Sequence, residues 1–484
     1  MGHVTFEQIP TGIKVPGTYT EFDTSSGVKS IPGNPRTIVM IAQKTTADSV
    51  FPQNTIVRVF DEDQAETQAG PGSIAHLTAR SIFRSVRETS LFAVYQNDDG
   101  GATDAAGTIT ISGTFTANIN LLVWIGGTRL EFNVDSTDTF TSLAALINTK
   151  INAESSLPVT SSVIAGVVTV TAKNGGTLGN AIPISFEIVV NAGLTVAVVQ
   201  LTGGATDPSL QPGLDAIFPT FLRHVYCTYN DSANLLLLKT HLKDSASPVE
   251  KKRRLGWTGI GYQTVGALNA LANTINEERI EIAYLRYSKT TQQGHSLAYE
   301  IGGANIAQYA SQQNPALPRN GLPLNNIIPP SLDEQLSFTE QQSLLENGVA
   351  PLGVEPGEGV VIVRTVSTKT TINGVENFTL LDMQTQDTLD NVASVAEALF
   401  KDQFQRVGIT DTLFKAIRSG VLERLFLLQD LLRLRNVEEN KDRIIVEEDA
   451  LNTGQVNLVI PAEVVPGAIV FAEQITLIVG QLNT

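Results

Sequence analysis

Five histidines, one cysteine and three short charge clusters are the residues of this 484-residue chain that could do chemistry. The histidines (His3, His76, His224, His241 and His295) are scattered and never stand four residues apart. With a single cysteine beside them, they argue against a dedicated zinc site. Cys227 sits inside the apolar run "FLRHVYCTY", the setting of a buried, inert thiol, and no intramolecular disulfide can form. The acidic triplets "NDD" (97–99) and "EED" (447–449) could touch a cation but read as exposed loops. The sequence has no G-x-x-x-x-G-K-[ST] loop, no G-x-G-x-x-G after a strand and no G-x-S-x-G elbow, so no phosphate cradle or serine nucleophile is expected.

The basic run "KKRRLGW" has three readings. Lys251, Lys252, Arg253 and Arg254 could form a nucleic-acid patch with Trp257 stacking, a solvated loop between helix and strand, or a charge patch that docks an acidic neighbour. A net charge of −16 makes nucleic acid the weakest of the three, because phosphate contacts need a basic face. Lys415 and Arg418 line the wet side of an amphipathic segment over 411–435 and are further candidates for an acidic partner.

The elements that would position these residues follow from periodicity. Residues 1–35 are broken by Pro10, Gly12, Pro16, Gly17, Pro32, Gly33 and Pro35 and read as an extended arm. Strand and helix patterns alternate over 36–98 and again over 207–325, which implies one discontinuous α/β domain with helices packed on its sheet. In the second part, "FLRHVYCTY", "GWTGIG" and "RIEIAYL" read as strands. The helix beginning at Ser73 in "GPGSIAHLTARSIF" has a serine cap. Between these parts, 99–206 is rich in Thr, Gly and Val, with alternating strands, and reads as an inserted β-rich domain. Its one helix puts Phe140, Leu143, Ala144, Ile147 and Ile151 on one face. The proline-rich stretch 314–331 reads as a linker, and 332–467 as an α+β C-terminal domain with "GVVIVRTVST" and "NFTLLDMQT" as strands around an Asn373–Gly374 turn. The last segment, 468–484, carries a strand pattern from Ile469 to Val479 with no later segment to pair with it. Such a strand spans roughly 36 Å at about 3.3 Å per residue. Strand addition to another chain's sheet is the physical use that fits both arms. The candidate contacts are Val4, Phe6, Tyr19 and Phe22 at one end, and Ile469, Phe471, Ile475, Leu477 and Val479 at the other. The first residues lack a charged and then apolar leader, and no run of about 18 apolar residues exists. Neither export nor membrane insertion is expected.

Several segments, in order along the chain, resemble the tail sheath proteins of contractile phages of the Mu type. They are "FEQIPTGIKVPGTYTEFD", "GPGSIAHLTARSIF", "PPSLDEQLSFTEQQSLLENGVAPLGVEPGEGVVIVRTVST" with "LLDMQTQDTLDNV", and "NLVIPAEVVPGAIVFAEQITLI". The resemblance implies a structural protein without enzymatic activity or cofactor. Its subunits would stack as hexameric rings around an inner tail tube, meet baseplate and tail terminator proteins, and contract to drive the tube through a cell envelope. It would be made in the host cytoplasm and end in the virion, without contacting nucleic acid directly. The family's α/β domain is described as subtilisin-like; no nucleophile motif here matches that, so no activity is carried over. The resemblance also implies that 332–484 lies nearest the tube and that 99–206 projects outward. Two other classes remain as alternatives: a divergent α/β hydrolase, and an adhesin whose β-rich insert binds sugars.

Overall fold

The apolar segments that begin at Arg36 pair side by side. The computed structural model describes residues 14, 36–45, 51–190, 193–289, 293–470 and 472–474. The first half of the central body comprises β1 (Ile38–Gln43), β2 (Ile56–Val59), α1 (Glu62–Ala69), α2 (Ile74–Ser85) and β3 (Leu91–Gln96). The insert follows with β4 (Ala106–Gly113), β5 (Ile119–Ile125), β6 (Thr128–Val134), α3 (Phe140–Ala153), β7 (Val159–Ile164), β8 (Val167–Ala172), β9 (Ile184–Val190) and β10 (Leu194–Thr202). The chain then returns through α4 (Gln211–Ile217), β11 (His224–Cys227), α5 (Ser232–Ser245), β12 (Leu255–Ile260), α6 (Val265–Ile275), β13 (Ile280–Tyr284) and α7 (Ala298–Ser311). Beyond 331 come α8 (Phe338–Glu346), β14 (Ala350–Glu355), β15 (Gly359–Ile362), the two-residue pair β16 (Thr371–Ile372) and β17 (Val375–Glu376), α9 (Met383–Gln403), α10 (Asp411–Asp430), α11 (Val437–Asn440), β18 (Ile445–Glu448) and β19 (Val456–Val459).

Eight strands form the central sheet in the order β15-β14-β13-β12-β11-β1-β3-β2, parallel except at the two outermost pairs. Its strands are apolar and buried, as a parallel sheet covered on both faces requires. Two glycines of β12 show how closely the helices approach. A Cβ on Gly256 would meet Leu238 and Leu242 of α5, whereas one on Gly259 would lie 2.3 Å from Ala298 O and 2.6 Å from Gly302 N of α7. Residues three apart on a strand point to opposite faces, so α5 and α7 cover opposite sides. The Ser73 hydroxyl accepts from His76 N at 3.1 Å and starts α2, as its sequence predicts.

The insert consists of a four-stranded sheet, β10-β4-β8-β7, and a three-stranded one, β6-β5-β9, with α3 against them. Leu143, Ala144, Ile147 and Ile151 of α3 are buried as expected, but Phe140, in the first turn, is exposed. The insert's apolar residues merge with those of the central sheet into one core.

Three expectations change beyond residue 313. The sheet runs past the proline-rich stretch, because β14 and β15 extend it and Gly321, Leu322 and Leu324 pair their backbone with Val360 and Ile362. The stretch is thus an edge of the central body, and no domain boundary falls at 332. The Asn373–Gly374 turn is present with both residues at positive φ, but "NFTLLDMQT" is not a strand: it turns at 379–380 and enters α9 at Met383. Finally, α9 crosses between two cores. Met383 belongs to the core of the sheet, while Val392, Val395 and Leu399 pack with Ile417, Val421, Leu425 and Leu428 of α10 in a second core.

The Gly259–Gly302 contact leaves no room for a methyl group. Gly259→Ala should lower stability by about 1–3 kcal/mol, the usual overpacking cost, read as a fall in thermal unfolding midpoint.

Candidate inter-subunit surface

The charged residues singled out in the sequence have different fates. Arg254 is fully buried. Its guanidinium donates to Leu222 O (3.2 Å), Ile217 O (2.8 Å) and Thr220 O (2.5 Å) and meets His241 Nε2 at 2.9 Å. Arg253 forms a two-pronged ion pair with Glu397 of α9 at 2.6 and 3.2 Å. Lys252 pairs with Glu250 and lies 4.8 Å over the Phe218 ring. Of the four, only Lys251 is classed as exposed. The segment is a loop between α5 and β12, but it is neither solvated throughout nor a free patch for a neighbour: the side chains from Lys252 to Arg254 are engaged within the chain, which leaves Lys251 as the exposed charge of the four. Trp257 is buried against Tyr309 at a ring separation of 4.4 Å and cannot stack on a base. Lys415 and Arg418 are exposed on α10, with Arg418 3.1 Å from Asp442.

Val4, Phe6, Tyr19 and Phe22, with Phe471, Ile475, Leu477 and Val479, lie outside the described residues. Of the expected terminal strand, 469, 470 and 472–474 are described, and they make no strand. Val470 is 85% exposed. A strand needs a ladder partner, and among the described residues none is supplied by the same chain.

Sequence reasoning missed a buried electrostatic seam. Arg223, Arg254 and Arg279 each immediately precede a parallel strand: β11, β12 and β13. Helix α9 crosses these amino ends and presents Asp387 and Asp390. Arg279 grips both oxygens of Asp390, at 2.8 and 2.9 Å. Arg223 donates to Asp390 Oδ2 at 2.8 Å and to Asp387 Oδ1. Tyr309 Oη donates to Asp387 Oδ2 at 3.3 Å. At the ends of the seam, Arg364 pairs with Asp382 (2.8 and 2.9 Å) and Arg253 with Glu397. Burial pushes the pKa of Asp387 and Asp390 upward, but neighbouring cations outweigh it: Arg223 above all for Asp387, and Arg223 with Arg279 for Asp390, hold the carboxyls below the usual range. The signal was present in the sequence as an arginine before three successive strand patterns and as the i, i+3 aspartates of "QDTLDN".

At the opposite, carboxyl end of the sheet, open α/β folds usually bind ligands. Here the chain fills that place itself. Asp98, just beyond β3, accepts from Gln43 Nε2 (2.7 Å), from Asn174 Nδ2 (3.1 Å) and from Gly175 N (3.0 Å). Asn174 Oδ1 accepts from Ile74 N at 3.1 Å, the position at the start of α2 that a ligand oxygen would take. A cleft of about 450 Å³ remains beside the ends of β11 and β12. Its Lys289 is already engaged, 4.1 Å over the Tyr262 ring and donating to Asn180 O. Cys227 is buried, its thiol pushed up by desolvation, and unsuited to nucleophilic attack. Among the described residues, no group of three His, Cys, Asp or Glu could hold a metal ion, and no helix is long and apolar enough to cross a membrane.

Comparison with known proteins fits this non-catalytic architecture. Residues 203–368, from the end of the insert through β15, match the family described as the phage tail sheath protein central domain. The Mu-like prophage FluMu tail sheath protein of Haemophilus influenzae is 23% identical over 473 residues, covering 94% of this chain and 95% of that protein. Residues 203–368 thus carry a phage tail sheath central domain, and nearly the whole chain resembles a Mu-like tail sheath protein. Solved relatives share the fold at low identity. The sheath tail protein of Desulfitobacterium hafniense matches with a TM-score of 0.50 at 10% identity, over 92% of this chain and 99% of that one. A chain in the anti-feeding prophage baseplate matches at 0.51 and 11%, over 96% and 100%. One in the contracted PVC sheath complex of an extracellular contractile injection system matches at 0.50 and 10%, over 97% and 99%. Tail sheath proteins are structural components of contractile tails, not enzymes. The hydrolase and adhesin alternatives find no support. In the insert, Trp124 lies in β5 against Gly294.

Two predictions follow from these charges. Asp390→Ala leaves the buried Arg279 guanidinium without its carboxylate and removes one of the two that Arg223 holds, and should cost about 3–5 kcal/mol, whereas Glu397→Ala at the rim should cost about 1 kcal/mol or less; denaturant unfolding midpoints separate them. The second concerns pH. Desolvation lowers the pKa of His76 and His295 to about 4 and of His224 and His241 to about 3. Below pH 6.5 the unfolded chain binds protons that these four refuse, so stability falls as pH drops, by about 1.4 kcal/mol per unit for each. Burial raises Glu281 to about 8, and Glu277 and Asp207 by less; these act in the opposite sense but are outnumbered in the upper part of the window. Thermal unfolding midpoints should decline from pH 6.5 toward 4, before the paired aspartates protonate.

Proposed function

We propose that this chain is the sheath subunit that polymerises around an inner tail tube, in stacked hexameric rings, and contracts to drive the tube through a host envelope. The reading rests on the likeness to tail sheath proteins together with one observation. The β18–β19 hairpin is a sheet of only two strands, and among the described residues nothing pairs with either outer edge. Two-stranded sheets are marginal in water and gain from added strands. By contrast, the β15 edge of the central sheet is covered by residues 321–324. The four-residue hairpin β18–β19, rather than the equally two-stranded but two-residue pair β16–β17, is taken as the open acceptor, and the segments 1–35 and 468–484 as the donors, each serving a neighbouring copy.

Donated strands suit a machine that changes its packing. Backbone hydrogen bonds at the end of a tether survive while the bodies rotate past one another, whereas a rigid side-chain interface would break. Contraction requires two packings of the same subunits, with the energy difference in contacts between bodies. Lys251, Lys415 and Arg418, exposed in the free chain, are the charges that such contacts would use. The tube-facing part is the second core around α9 and α10, within 332–467, and the insert 99–206 projects outward. The proposed partners are the inner tube protein, baseplate and tail terminator proteins, and other copies of the chain. Assembly takes place in the host cytoplasm.

Deleting residues 468–484 should leave a soluble, folded monomer that forms no tubes by negative-stain microscopy, while the full chain forms them. Tubes from the truncated chain would sink the donated-strand reading.

A further inference from the structure

The two ends of the described chain are held by one short stretch. At the N-terminal side, Arg36 Nη1 donates to Ser311 O, at the end of α7, at 2.6 Å. At the C-terminal side, Arg435 N donates to Glu463 O (2.9 Å) and Val465 N to Arg433 O (3.2 Å), which brings the chain back past the end of α10. It then lies against the same stretch: a Cβ on Gly467 would be 3.0 Å from Pro318 Cβ. Between these two points, Asn314 Nδ2 donates to Leu431 O at 3.1 Å, tying the stretch to the end of α10 as well.

The stretch is anchored by its own arginine. Arg319 is 1% exposed, with its guanidinium 3.9 Å from the centre of the Tyr309 ring. It donates to Pro315 O (2.9 Å) and Leu317 O (2.6 Å), so the backbone folds around it. Tyr309 in turn donates to Asp387 of the seam. A buried cation enclosed by carbonyls and a ring is costly to displace, because its hydration would have to be restored through a packed interior.

We propose that Ser311–Arg319 is a shared root that couples the two ends of the chain, so that loosening or pulling one end is felt at the other. In a sheath built by arm donation this would carry tension from one neighbour to the next along a path of a few residues, without passing through the central sheet. That role rests on the proposed function, but the coupling is a property of the free chain and can be measured without assembly.

Hydrogen exchange of the full-length free chain tests it. In Arg319→Met, amides of both 36–38 and 463–467 should exchange at least about tenfold faster, while those of 39–43 and of β11, β12 and β13 keep their protection. Arg319→Lys, which retains the charge but not the paired donors, should fall between. Faster exchange at only one of the two ends, or only within 311–319, would overturn the coupling. Should Arg319→Met lose protection throughout the sheet, Arg36→Ala decides. It removes one peripheral bond, and the coupling requires 463–467 to exchange faster in response; an unchanged 463–467 refutes it. A chain that shows the coupling but forms no tubes would refute the proposed assembly and leave the shared root standing.

Discussion

The grip of Arg223 and Arg279 on Asp387 and Asp390 is the contact on which the remaining architecture hangs. It joins the amino ends of β11 and β13 to a helix that comes more than 100 residues later. Buried ion pairs are weak evidence of net stability, since apolar residues could fill the same space. Their effect here is on geometry. A paired carboxylate admits a narrow range of approach for a guanidinium, and two such pairs, three residues apart on α9, fix the helix in rotation and in register. Because α9 continues into the second core without a break, the same contact sets where that core sits.

The two ends of the sheet thus have opposite uses. Its carboxyl end, where related architectures hold ligands, is sealed by Asn174, Asp98 and the turn of the insert. Its amino end carries the charge seam, and the stretch that holds both chain ends reaches it through Tyr309, whose ring lies under Arg319 and whose hydroxyl donates to Asp387. Apart from the cleft beside β11 and β12, the carboxyl end is thus occupied by the chain's own polar groups, while the amino end is given over to ion pairs that join distant segments.

Much of this was legible in the sequence. Strand and helix alternation located the central sheet and the insert, because buried parallel strands and amphipathic helices leave strong periodic signals, and the serine cap at Ser73 marked its helix. Three features escaped. The proline-rich stretch looked like a linker, since proline density does not report that Gly321–Leu324 pairs with β15. "KKRR" looked like a solvated loop because composition cannot show that Arg254 points inward, to carbonyls of the 217–222 turn. "NFTLLDMQT" has β-favouring residues, but Asp382 is committed to Arg364 and the chain has already begun to coil. In each case a contact distant in sequence overrode a local preference.

The unbroken course of α9 bears on how this molecule can be divided. Its 21 residues make a rod of about 31 Å, rooted in one core and ending in the other. A fragment cut at the proline-rich stretch would forfeit β14, β15 and the aspartates, leaving Arg223 and Arg279 without their carboxylates. A fragment beginning there would carry acidic residues with nothing to face. A cut beyond Gln403, in the turn before α10, would spare the aspartates but part Val392, Val395 and Leu399 from Ile417, Val421 and Leu425, so neither core can be excised without opening the other.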